Sequence, residues 1–138
     1  MSDTTTAPAA ADAATQAALE RLNTVIDRLI APDGCPWDST QTPESLTEYV
    51  IEECHELVDA IRSGKTADMV EELGDVAFLI LMIGKLMARA GGPSLADALE
   101  VEAAKMVRRH PHVFSDTTYE SQSEQLKDWD RIKREEKA

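Results

Sequence analysis

Two short acidic patterns stand close together in this chain: Glu52-Glu53-x-x-Glu56 and Glu72-x-x-Asp75. On a helix, residues three or four apart share a face, so each pattern sets carboxylates side by side. Between them lies Ser63-Gly64-Lys65-Thr66, which reads as a helix stop and a short turn, making the flanking helices antiparallel neighbours. Glu53, Glu56, Glu72 and Asp75 can therefore converge. Two carboxylates about 4 Å apart repel by roughly 4 kcal/mol at an effective dielectric near 20. Several such pairs would rival the roughly 5–15 kcal/mol that holds a whole domain together. Such a cluster must splay, take up protons or hold a divalent cation. All-oxygen ligation favours a hard ion, Mg2+ first and Mn2+ as its substitute. Zinc prefers His or Cys, and a di-iron bundle needs Glu-x-x-His twice, whereas Glu52-x-x-His55 occurs once. The competing reading is a set of solvated helix acids, ordinary in a chain with 26 acidic and 14 basic residues.

These carboxylates need elements to carry them. Thr42-Pro43-Glu44-Ser45 is a helix start with Thr at the N-cap and Pro at the first helical position, and the helix runs to about Arg62. Leu46, Val50, Cys54, Leu57 and Ile61 form its expected apolar stripe; Glu53 borders that stripe, Tyr49 and Glu56 lie slightly further round, and Glu52 is on the outer side. The next helix is expected over residues 67–90. Glu72 and Asp75 fall on the same stripe as Leu79, Ile83 and Leu86, so they point toward the core, which is costly for surface decoration. Val76 to Ile83 is apolar all round, as in a helix buried in a bundle or at a subunit interface. Gly74 and Gly84 offer room for close helix approach. Gly64-Lys65-Thr66 imitates the end of a P-loop, but position 59 is Asp and no strand precedes it, so Gly64 is read as a C-cap.

Leu19, Leu22, Ile26 and Leu29 mark a first helix over about residues 15–30, after an Ala/Thr/Asp-rich flexible tail expected over residues 1–14. Trp37 lies in a Pro/Gly-rich loop, either as a core anchor or as a flat surface near a base or a subunit contact. Gly91-Gly92-Pro93 breaks the chain, Ser94 can cap a fourth helix to about Arg109, and a last helix spans about residues 123–136. With aromatics at only 4% and few alternating segments, strands are disfavoured. The expected fold is all-α: a bundle of about five helices in one domain over residues 15–138, its core completed by homo-oligomerisation.

A net charge of −12 opposes nonspecific nucleic-acid binding, which depends on Lys and Arg neutralising phosphates. No run approaches the roughly 18 apolar residues of a membrane span, and no basic-then-apolar leader is visible. Cys35 and Cys54 are too few for a disulfide framework and read as reduced thiols, so a cytoplasmic protein with no nucleic-acid or membrane partner is expected.

Taken in order, the motifs resemble the MazG-type nucleoside triphosphate pyrophosphohydrolases. The resemblance rests on the two acidic patterns, Gly34-Cys-Pro-Trp-Asp38 with Gln41-Thr42, Arg108-Arg109-His110-Pro-His-Val-Phe114, and Trp129-x-x-Ile132-Lys133, and it extends over about residues 19–137. It implies an all-α homodimer or tetramer that hydrolyses a nucleoside triphosphate to the monophosphate and pyrophosphate with Mg2+. It implies that Glu53, Glu56, Glu72 and Asp75 hold metal and that Glu52 orients or deprotonates the attacking water. Lys105, Arg109, Trp129 and Lys133 match nucleotide contacts, and Tyr49 and Trp37 join that set; His110 and His112 are read as turn residues. Two alternatives stay open: a narrow-substrate relative, such as a dimeric dUTPase or a phosphoribosyl-ATP pyrophosphohydrolase, and a non-enzymatic helical interaction module.

Overall fold

The computed structural model describes residues 6–138 and is all helical, with no strand among them. Five long helices are α1 (Thr6–Ile30), α2 (Thr47–Ser63), α3 (Thr66–Arg89), α4 (Leu95–Arg109) and α6 (Gln122–Glu136); α5 (Pro111–Phe114) is a single turn. The chain divides into two compact units, Met1–Ser94 and Leu95–Ala138.

In the first unit, α1 begins well before the boundary expected near residue 15. Residues 1–5 of the expected tail lie outside the described residues, and from Thr6 onward the backbone is helical. Alanines at 7, 9, 10, 11, 13 and 14 explain this, since Ala carries the best intrinsic helix propensity and needs no packing partner. Residues 9–20 are exposed; only toward its C-terminus does α1 enter the core, through Ile26 and Ile30. Lys85 of α3 bonds Asp27 of α1 at 2.6 Å across the same contact.

Two local devices launch and end α2. The backbone N–H of Ser45 donates to Thr42 Oγ1 at 3.1 Å, and the N–H of Thr42 donates back to Ser45 Oγ at 2.9 Å, a reciprocal cap. A 3-10 turn over Glu44–Leu46 then leads into the helix. At the other end Gly64 adopts φ 72°, and its N–H bonds the carbonyl of Ile61. That left-handed cap is cheap for glycine and strained for any other residue type.

The face that α2 turns inward differs from the expected stripe. Leu46 and Ala60 are buried and Val50, Glu53 and Leu57 are half-buried, whereas Cys54 and Ile61 are exposed. Glu53 thus sits within the inward stripe rather than at its border. In α3, Leu79, Leu81, Met82, Gly84 and Leu86 are buried. Gly84 is buried, while Gly74 has open space where a side chain would project, so Gly74 makes no close approach within this chain. The helix is not buried all round: Val70, Leu73, Ile80 and Met87 stay exposed, as do Ile51, Val58 and Ile61 on α2. Among the described residues only nine hydrophobic side chains are buried, a small core for a chain of 138 residues.

The second unit joins α4 to α6 through Pro111–Phe114. Ser121 caps α6, accepting from the Glu124 N–H, and Ile132 is its buried residue. Arg108 and Arg109 both reach Glu136 in the last turn of α6.

Candidate active site

The antiparallel α2–α3 pair, the most extensively packed pair of helices in the chain, carries the acidic residues. Glu53, Glu56 and Glu72 each offer a carboxylate oxygen, and these oxygens lie within 4.8 Å of one another. Glu53 and Glu56 are three residues apart on α2, and Glu72 faces them from α3. Two oxygens, Glu53 Oε2 and Glu72 Oε2, are buried with no hydrogen-bond partner. Buried polar atoms are nearly always paired, so orphaned acceptors of one sign mark a missing positive group.

Electrostatics show the same frustration. Glu53 is pushed up to about 7, first by burial, then by a carboxyl–carboxyl hydrogen bond and repulsion from Glu56, then by Asp75 and Glu72. Glu72 is also raised, by burial and then by Glu56, with smaller contributions from Asp75 and Glu71. Asp75 is exposed and stands outside the three-carboxylate group, although its charge is felt by both partners. Glu52 is exposed and also lies outside that group. An oxygen-only donor set with two unpartnered buried oxygens fits a hard divalent ion.

A cavity of ~240 Å³ opens beside the acids, lined by Trp37, Leu46, Tyr49, Glu53, Asp75, Phe78 and Leu79. Trp37 and Tyr49 meet edge to face with centroids 5.7 Å apart. One wall is aromatic and one carboxylate, which suits a ligand with a flat or apolar part and an anionic part bridged by cation. Phe78 escaped the sequence reading; its place three residues after Asp75, on the same face of α3, was the available signal.

The basic residues belong to the second unit. Arg109 donates from Nη2 to Glu136 Oε2 at 2.8 Å and from Nε to both carboxylate oxygens at 3.3 Å; Arg108 Nε donates to Glu136 Oε1 at 2.7 Å. Hydrogen bonds from Arg109 and then Arg108 hold the Glu136 carboxyl down at about 2. The Arg109 guanidinium lies 5.7 Å from the Trp129 ring centroid, a cation–π distance. Lys105 pairs with Glu102 at 2.7 Å, and Lys133 is half-buried. His110 Nδ1 lies 2.6 Å from the Met106 carbonyl and its ring meets Trp129 edge to face. Glu136 was not singled out from sequence, because nothing local ties residue 136 to residue 109.

A family model described as the MazG nucleotide pyrophosphohydrolase domain matches residues 41–114, more than half of the chain. The chain is 40% identical over 118 residues to the nucleoside triphosphate pyrophosphohydrolase/pyrophosphatase MazG of Thermotoga maritima, covering 86% of this chain and 45% of that protein. It is 39% identical over 121 residues to the nucleoside triphosphate pyrophosphohydrolase of Escherichia coli K12, covering 87% of this chain and 46% of that one. The chain therefore spans less than half the length of these curated relatives. Among solved structures, a mazG-related protein from Thermotoga maritima superposes with TM-score 0.70 at 30% identity, over 83% of this chain and 98% of that one.

Proposed function

The chain belongs to the MazG nucleotide pyrophosphohydrolase family, and from that premise we propose that it hydrolyses (deoxy)nucleoside triphosphates to the monophosphate and pyrophosphate in a Mg2+-dependent reaction. The observation that carries this reading is the three-carboxylate cluster, with two unpartnered buried oxygens, whose Glu53 also lines an aromatic-walled cavity.

Cleaving a phosphoanhydride needs a water placed in line, charge neutralisation on the phosphates and a stabilised leaving group. A divalent ion supplies Lewis acidity and a more acidic coordinated water when bound. Glu53, Glu56 and Glu72 are the residues that would hold it, with Asp75 as the fourth ligand at the exposed side. Glu52, beside Glu53 yet outside the group, is assigned to orienting or deprotonating the attacking water. Trp37, Tyr49 and Phe78 take up the nucleoside. Lys105, Arg109 and Lys133 are assigned to the phosphates and Trp129 to a further nucleotide contact by their place in the family pattern, with Glu136 fixing the guanidinium of Arg109. House-cleaning of the nucleotide pool in the cytoplasm is the role we assign, with no nucleic-acid or membrane partner; no helix of the described residues is long and apolar enough to cross a membrane.

Purified protein with Mg2+ and a panel of NTPs and dNTPs is expected to release monophosphate and pyrophosphate. Release of orthophosphate alone would refute the reaction, and turnover confined to dUTP or to phosphoribosyl-ATP would move the chain to a narrow-substrate relative.

A second copy of the chain is the proposed cover for the exposed residues Ile51, Val58 and Ile61 of α2 and Val70, Leu73 and Ile80 of α3. These side chains recur at helical spacing and are large enough to form a homodimer core, or one layer of a tetramer. Ile80→Asp should shift the sedimenting species at micromolar concentration toward the monomer and lower Tm; an unchanged sedimentation coefficient would remove this face from the interface.

A further inference from the structure

The loop that carries Trp37 is tied to a residue at the far end of α3. Arg89, the last residue of that helix, donates from Nη1 to the Ile30 carbonyl at 2.9 Å and from Nη2 to the Ser39 carbonyl at 3.1 Å, with Gln41 O at 3.5 Å. One guanidinium thus ties the end of α1 to the end of the loop that carries Trp37. The segment between is stitched to itself. The Trp37 carbonyl accepts from Thr40 Oγ1 and Gln41 Nε2, each at 3.0 Å, and the Cys35 carbonyl accepts from the Ser39 N–H at 2.9 Å. Its start is fixed by the Cys35 N–H bond to the Leu29 carbonyl, at a place where Gly34 alone fits: a side chain there would stand 2.3 Å from the Arg28 carbonyl oxygen. The loop therefore behaves as a stiff tile pinned at two ends, and Arg89 is the pin supplied by α3.

The same helix carries Asp75 and Phe78 at the cavity wall. Fourteen residues separate Asp75 from Arg89, about four turns and roughly 21 Å of helix, so the two project from nearly the same side. With one end of α3 setting the carboxylates and the other end setting the loop, the distance between Trp37 and the acids is fixed by a rigid rod. We infer that Arg89 is a positioning residue for nucleoside recognition: it holds Trp37 at the cavity mouth and takes no part in metal binding or bond cleavage. This rests on the cavity being the nucleoside site, as proposed above. Lysine is a poor substitute, because one ammonium cannot span two carbonyls of different segments in the planar geometry a guanidinium offers.

The test is a double-mutant cycle of Arg89→Ala and Trp37→Ala, read by KM, kcat and Trp37 emission. Arg89→Ala should raise KM about tenfold, within the coupling range for residues of one network, with kcat changed less than twofold and Mg2+-induced thermal stabilisation retained. In the Trp37→Ala background the same change should add nothing to KM. Arg89→Lys should fall between, and it serves if the alanine variant does not fold. In a Trp129→Phe background, where Trp37 is the sole indole, Arg89→Ala should red-shift emission. Additive KM effects, a parallel loss of kcat and Mg2+ stabilisation, or unmoved emission would each overturn the inference. A wild-type protein that turns over no nucleotide would sink the proposed function instead, while the emission measurement would still decide whether Arg89 holds the loop.

Discussion

Glu56→Gln should lower turnover by at least about a hundredfold, the scale on which a single electrostatic contact to a transition state is lost, while far-UV circular dichroism keeps its helical amplitude. Glu56 is the hub of the cluster. It hydrogen-bonds Glu53, its charge raises both Glu53 and Glu72, and its oxygen lies within 4.8 Å of theirs. The amide keeps the shape and removes the charge, so the Mg2+-free protein loses a source of repulsion and should not be destabilised. Activity falls because the remaining carboxylates no longer make a competent oxygen cage for the ion. Glu52→Gln separates the two roles assigned to neighbouring glutamates: it should cut turnover yet leave Mg2+-induced stabilisation intact. Wild-type rates from Glu56→Gln would show that the cluster is not the ion site.

Thermal denaturation without divalent ions should show Tm falling as pH rises from about 5 to about 7.5, and Mg2+ should reverse that trend. Glu53 is raised in the folded protein from the ordinary 4.5 to about 7. A raised carboxyl binds a proton more tightly when folded, so its contribution is fully present below about 4.5 and is lost as pH climbs through 7. Above that pH the folded state must hold an unneutralised cluster. The ion competes for the same oxygens as the proton, so its stabilisation grows over the range where the metal-free protein weakens. At a hundredfold excess over Kd, the ion adds about 2.7 kcal/mol, or roughly 8–10 °C for a chain of this size. Glu53→Gln should flatten both curves. Parallel curves with and without Mg2+ would place the ion elsewhere.

What the sequence disclosed is what local chemistry decides. The Thr42 start and the Gly64 stop are legible because a cap and a left-handed turn involve residues within a few positions of one another. The all-helical class follows from the absence of strand patterning, and the turn at Gly64 makes the two acidic helices neighbours before any tertiary fact is known. Glu53, expected among the converging carboxylates, differs only in its register on α2. Hydropathy sets a glutamate at the border of an apolar stripe and puts Cys54 and Ile61 within it. The packed stripe runs Leu46, Val50, Glu53, Leu57, Ala60, at four- and three-residue steps, with the acid in the middle. A charged residue occupying a core register is what a ligand site demands and what a hydrophobicity rule cannot foresee. The early start of α1 was missed for the opposite reason: a segment with no apolar stripe reads as a tail, yet alanine propensity alone makes it helical. The Arg109–Glu136 clamp and the Arg89 tie join residues 27 and 48–59 positions apart, and no local rule selects such pairs.

Glu53, Glu56 and Glu72 all come from one helical hairpin, whose strandless turn is little more than Gly64 and Lys65. Closing so short a connection costs little chain entropy, and contacts between near neighbours form fast. The acidic core of the chain is thus a candidate for the earliest structure on the folding pathway, complete before the loop of Trp37 is pinned. That order carries a hazard: the newly formed hairpin gathers like charges before anything neutralises them. If the cluster holds the proposed ion, cations in the refolding medium would act on the kinetics of assembly as well as on the finished protein, and magnesium would be a folding partner of the hairpin.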